Sequence, residues 1–149
     1  MYARILMPTD GSASSDKAIE QGLELAKRLS SQVTFLHVLE NPLTAGYASP
    51  ESIPYAAQLY QDLKESAGKL LSDAVAKANA MGVTATGKLV ENRDPVQVIT
   101  EEAKEHDAVV MGTHGRRGFN RWMFGSVAEG ALRRSEKPFL LVRGDTVEE

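Results

Sequence analysis

The sequence predicts an α/β fold: one domain on a doubly wound, five-stranded parallel sheet with helices on both faces. Three observations carry this. Segments of strand character and of helical period alternate as β-α-β-α-β-α-β-α-β, the pattern that parallel strands joined by crossover helices leave behind. The strand segments are near-continuous apolar runs, as expected when both faces of a sheet are covered. The sequence of 149 residues has the length of one domain and carries no internal repeat, low-complexity tract or interdomain linker. The domain is expected to span residues 1–144, followed by a short polar tail at 145–149.

Each element follows from its residues. The first apolar run, Ala3–Met7, ends at Pro8-Thr9-Asp10-Gly11-Ser12, a set of turn and helix-start residues. Ile19, Gly22, Leu23, Ala26 and Leu29 then form one helical stripe. Gln32–Leu39 is rich in β-branched and aromatic residues and reads as the second strand. Asn41 to Pro54 holds Pro42, Gly46, Pro50 and Pro54, which mark a loop, and structureless connections of that length are often functional. A long helix is expected from about Tyr55 to Met81, kept in phase by Leu59, Leu63, Ala67, Leu70, Leu71, Ala74 and Ala78, with Gly82 as its stop. Thr84–Val90 is the third strand. Asp94-Pro95 starts the next helix, a capping acid followed by proline at the first helical position. Ala108–Met111 is the fourth strand, a helix runs from Ser126 to near Ser135, and Phe139–Val142 is the fifth strand.

Composition narrows the functional classes. There is no cysteine, which removes disulfides, thiolate metal sites, iron–sulfur clusters and cysteine nucleophiles together. The net charge, 17 − 20 = −3, argues against a nucleic-acid partner. No stretch approaches the roughly 18 apolar residues that span a bilayer, and the first apolar run is too short for a signal peptide. A cytoplasmic protein without membrane contact is therefore expected. Arg116, Arg117 and Arg121 nevertheless cluster, with Arg133 and Arg134 further on, and a local basic cluster in an acidic protein suits a small anion.

Doubly wound sheets bind ligands beyond the carboxyl ends of their strands, where the winding reverses. Strand one ends in Pro8-Thr9-Asp10, and strand four in Gly112-Thr113-His114-Gly115-Arg116-Arg117-Gly118, with Gly125-Ser126 opening the next helix. If strands one and four are neighbours, both loops face one crevice. The second loop has the makings of a phosphate cradle. Gly112, Gly115 and Gly118 can take φ > 0 and bring N–H groups close to a ligand. Ser126 offers a hydroxyl beside the free amides of Val127 and Ala128, at the positive end of a helix dipole. Asp10, acceptor-only when ionised, suits two ribose hydroxyls, and an adenine would lie near the backbone of Val38.

Plainer roles compete at several positions. Ser126-x-x-Glu129 is a capping box, so Ser126 is also explained as a helix start. Asp10 also fits a turn and Ser12 a helix cap. Trp122, Met123 and Phe124 suit a packed loop face better than a base-stacking platform. His37 is expected in the core or near the sheet end and His106 on the surface, whereas His114 stands inside the glycine loop. No P-loop, no G-x-G-x-x-G after strand one and no G-x-S-x-G elbow is present. Nor is there a convincing base to activate water, so the site reads as built to hold an anion rather than transform it.

These residues resemble those of the universal stress protein family, single-domain members of the adenine-nucleotide α-hydrolase-like group. The resemblance covers nearly the whole sequence. It is most specific in G-x-x-G, nine residues, then G-[ST]: Gly112 to Gly115, Arg116 to Phe124, and Gly125-Ser126. Ile5 to Ser12 and His37-Val38 also match. The resemblance implies strand order 3-2-1-4-5 and membership of the ATP-binding branch. It places Asp10 at the ribose, the Val38 backbone at adenine, and Gly112, Gly115, Gly125, Ser126 and Val127 around the phosphates; Pro8, Thr9, Thr113, His114 and Arg116 are expected to complete the nucleotide site. It further implies ATP (or AMP or ADP) as ligand, Mg²⁺ or Mn²⁺ bridging the phosphates, a nucleotide-dependent role in stress response, and a homodimer through Phe139–Val142. An apolar edge strand there independently calls for a cover. The alternatives are a slow metal-dependent ATPase or nucleotidyl hydrolase, and a nucleotide-free interaction module. Two departures from the family pattern are Gly130 within the fourth helix and Trp122 in a stretch that is usually aliphatic.

Overall fold

The computed structural model describes residues 1–41, 51, 53–113 and 125–144. Its elements are β1 (Arg4–Pro8), α1 (Ala13–Leu29), β2 (Gln32–Leu39), α2 (Ile53–Ala80), β3 (Ala85–Glu91), α3 (Pro95–Ala103), β4 (Ala108–Gly112), α4 (Ser126–Arg134) and β5 (Phe139–Val142). The strands form one parallel sheet in the order β3-β2-β1-β4-β5, as expected. Winding runs outward from β1 to β3 and then crosses back to β4, so the reversal lies between β1 and β4. Most of the Asn41–Pro54 connection, the 114–124 segment and the 145–149 tail lie outside the described residues.

Two cores hold the layers together. On one face Ile5, Met7, Val33, Phe35 and Val110 pack with Ile19 and Leu23 of α1 and Leu71 and Ala74 of α2. On the other, Leu6, Leu36, Val109 and Met111 pack with Val98 and Ile99 of α3 and Ala128 and Ala131 of α4. Successive strand residues point to opposite faces, so an unbroken apolar run such as Ile5-Leu6-Met7 feeds both cores alternately. That is why the central strands β1 and β4 carry no polar alternation.

Helix ends follow local chemistry. Ser12 caps α1 by accepting from the Ser15 amide at 3.1 Å, and Ser30 closes the helix at φ 57°. Asp94 caps α3 by accepting from the Gln97 amide at 3.1 Å, with Pro95 in the first turn. α2 starts at Ile53, slightly before the expected Tyr55, and stops before Gly82 at φ 82°. At α4 the capping-box expectation fails. Gly125 is the N-cap, the helix start has no side-chain cap, and Ser126 is its first helical residue. Glu129 is thereby one position too deep to reach back, and it pairs with Arg133 at 3.0 Å instead.

Two glycines are explained by close approach. A Cβ on Gly130 would meet Val96 Cγ2 at 2.9 Å, so α3 and α4 touch where a larger residue would part them. Gly112 does not take positive φ; the described glycines that do are Gly11 and Gly82. A Cβ on Gly112 would meet Ser14 Oγ at 2.5 Å and the backbone carbonyl carbon and oxygen of Ser14 at 2.9 Å. The role of Gly112 is to let the first turn of α1 rest on the end of β4. His106, expected on the surface, is only 5% exposed. The Asp107 amide donates to the Arg4 carbonyl at 2.8 Å, which pulls the α3–β4 turn under the sheet. There His106 Nδ1 donates to the Glu102 carbonyl at 2.7 Å and Nε2 meets the Thr34 hydroxyl at 2.9 Å.

Candidate functional site

β1 and β4 pair through Leu6 and Val109, which sets the ends of both strands on the same edge of the sheet. Beyond that edge lies a cleft of about 470 Å³, within the range of small-molecule sites. Its lining includes Pro8, Thr9, Asp10, Val38, Gly112, Thr113, Gly125, Ser126 and Val127. These nine candidates for the nucleotide site thus line one cavity. His114, Gly115 and Arg116 lie outside the described residues, as do Arg117, Arg121 and Trp122.

The loop after β1 is held by a dense set of hydrogen bonds. Thr9 is buried, and its hydroxyl lies 2.5 Å from that of Ser15. Ser15 Oγ also accepts from the Asp10 amide at 3.3 Å, and Asp10 Oδ1 accepts from the Ser12 amide at 2.9 Å. Asp10 is therefore both a turn residue and a wall of the cleft: the turn bond fixes where its carboxylate stands. Gly11 supplies the left-handed backbone the turn needs, at φ 81°.

Across the cleft, the Gly125 amide donates to the Thr113 carbonyl, which ties the start of α4 to the end of β4. α4 starts without a side-chain cap, and its first residues, Ser126, Val127 and Ala128, line the cleft. Such a terminus carries about +0.5 of an elementary charge and favours an anion. Among the described lining residues the charged ones are carboxylates, Asp10 and Glu40. Arg133 and Arg134 contribute nothing here, because they occupy the last turn of α4, at its far end.

Sequence reasoning missed several walls. Leu63 of α2 and Pro95 and Ile99 of α3 close the sides, and His37 and Glu40 flank the end of β2. The helical residues carry no local signal, since only packing brings them to the sheet edge. Beside the cleft at the end of β3, Tyr60 donates to Glu91, and Lys64 Nζ stands 3.4 Å from the same carboxylate. The Tyr60 bond holds the Glu91 carboxyl below its ordinary 4.5, while Glu91 holds the Tyr60 phenol above 10.0. The Glu91 contribution to stability is lost as pH falls below that range. The Tyr60 contribution is lost as pH rises past 10.

The sequence profile described as "Universal stress protein family" matches residues 1–143. The chain belongs to the universal stress protein family. Universal stress protein MJ0531 of Methanocaldococcus jannaschii is 31% identical over 145 residues, covering 96% of this protein and 83% of the relative. Among solved structures, hypothetical protein MJ0577 superposes with a TM-score of 0.83 at 24% identity, over 99% of both proteins, and shares the fold. A universal stress protein in complex with cAMP superposes with a TM-score of 0.71 at 25% identity, covering 97% of this protein and 99% of that one. This universal stress protein domain has no helix long and apolar enough to cross a membrane among its described residues.

Proposed function

We propose that this universal stress protein binds ATP in the cleft at the β1–β4 edge and acts as a nucleotide-dependent regulatory protein of the stress response in the cytoplasm. One observation carries the reading: the uncapped N-terminus of α4 and the fixed carboxylate of Asp10 line the same 470 Å³ cavity. The solved relative that holds cAMP supports an adenine nucleotide as the ligand class.

In this reading Asp10 receives the ribose hydroxyls, Pro8 and Thr9 line the cleft beside it, and the backbone of Val38 meets the adenine. Gly112, Thr113, Gly125, Ser126 and Val127 surround the phosphates, together with His114, Gly115 and Arg116. The described residues form no cluster of three metal-binding side chains. A Mg²⁺ or Mn²⁺ ion accompanying ATP would take ligands from phosphate oxygens and water, its usual habit at nucleotide sites.

Calorimetric titration with ATP, ADP and AMP tests the reading. The wild type is expected to bind ATP, and Asp10→Ala to weaken it about 10- to 100-fold, since a charged hydrogen bond contributes about 1.5–3 kcal/mol. A wild type that takes up no adenine nucleotide disproves it. Metal-dependent release of phosphate at a steady rate would instead support the slow ATPase or nucleotidyl hydrolase.

The proposal extends to a homodimer through β5. The strand is the sheet edge beside β4, reads Phe-Leu-Leu-Val, and leaves Leu140 45% exposed. The opposite edge, β3, is blunted by Lys88, which pairs with Glu102. Leu140→Lys is expected to shift the protein from dimer to monomer in sedimentation velocity; an unchanged dimer would place the interface elsewhere.

A further inference from the structure

We propose that His37 is a positioning residue for the nucleotide cleft: its ring captures the Thr9 carbonyl, and so both orients the Asp10 turn and releases the Val38 amide for a ligand. The inference rests on the nucleotide reading above.

The parallel ladder between β1 and β2 shows what the ring replaces. It begins with the Gln32 amide on the Ala3 carbonyl at 2.8 Å and reaches the Thr9 amide on the Leu36 carbonyl at 2.8 Å. Continued one step further, the ladder would set the Val38 amide on the Thr9 carbonyl. That carbonyl instead lies 2.8 Å from His37 Nδ1. A carbonyl only accepts, so Nδ1 carries the hydrogen. The β1–β2 register ends at Pro8 and Leu36, so the strands part at this point. The ring takes the place of the last ladder bond, and the Val38 amide faces the side of β2 that β1 no longer covers.

The same bond steadies the ribose side. Thr9 is the hub of the loop: its hydroxyl meets Ser15, whose Oγ in turn receives the Asp10 amide. Those bonds are local, made within the loop and the first turn of α1, whereas His37 reaches the loop from a different strand. Losing it leaves the Thr9 carbonyl to recapture the Val38 amide, and turns the peptide that leads into Asp10. A half-buried histidine at the mouth of a cleft is thus explained by the bond it makes rather than by apolar packing.

The test uses the intact protein with ATP and 2′,3′-dideoxy-ATP, which lacks the hydroxyls assigned to Asp10. His37→Leu is expected to weaken ATP by about 10-fold or more, the cost of a misplaced charged acceptor, and to bring the ATP/dideoxy-ATP preference close to 1. His37→Asn puts an amide N–H near the position of Nδ1 and is expected to restore ATP affinity to within about 3-fold of wild type. His37→Gln carries its N–H one bond further out and is expected not to. Should the leucine variant fail to fold, the asparagine–glutamine contrast decides alone. A leucine variant that keeps the wild-type preference, or an asparagine variant no better than glutamine, overturns the role of His37. A wild type that binds no ATP removes the nucleotide reading itself, a result the variants are not needed to obtain.

Discussion

Gly112→Ala is expected to destabilise the fold by about 2 kcal/mol and Gly112→Val by about 3 kcal/mol or more, the upper range for overfilling a packed site. The added Cβ would stand 2.9 Å from the backbone carbon and oxygen of Ser14. Those atoms belong to the first turn of α1 and cannot rotate away as a flexible side group would. Relief requires lifting α1 off the end of β4, and the turn from Asp10 to Ser15 is anchored to that same first turn. Nucleotide affinity should therefore fall together with stability. Gly68 is the control: it lies exposed on α2 with nothing within 4 Å of an added Cβ, so Gly68→Ala should stabilise by roughly 0.5–1 kcal/mol through helix propensity alone. Urea denaturation of the three variants checks both signs. A neutral Gly112→Ala would mean that α1 and β4 are not in the contact described.

Much of this fold is legible from residue pattern. β2 and β5 begin and end where their apolar runs do, and Asp94-Pro95 starts α3 as its chemistry dictates. These features are local: each rests on a side group acting on backbone within a few residues. What the pattern did not reveal depends on contacts between distant segments. Gly112 reads as a flexible loop glycine until α1 is seen lying across it. His106 reads as surface until Thr34 of β2 is found at its ring. The start of α4 is a subtler case. Ser126 and Glu129 have capping-box spacing, yet the Gly125–Thr113 backbone bond shifts the helix start by one residue. That shift brings the helix start to the cleft without a side-chain cap, so the misread cap and the candidate anion site have one cause. His37 belongs to the same group, since its significance appears only when the β1 ladder is followed to its end.

Phe35→Ala should be among the most damaging single changes to stability, with a loss of about 3–5 kcal/mol. Phe35 is fully buried at the centre of the sheet, on β2 between Met7 of β1 and Gly87 of β3. It packs in the core shared with α1 and α2, where Leu71 and Val75 of α2 come down onto Gly87 beside it. Phe35→Leu keeps most of the volume and should cost nearer 1–2 kcal/mol. The two variants separate folding from function. Position 35 faces the α1–α2 core, whereas Leu36, its neighbour, faces α3 and α4 and lines the cleft. Alternation along the strand thus places the main loss of packing on the layer away from the ligand. Under conditions where Phe35→Leu remains folded, its ATP affinity should match wild type even as its denaturation midpoint falls. A parallel loss of affinity would show that the α1–α2 core sets the geometry of the cleft directly, and that the two layers of this sheet are mechanically coupled through β2.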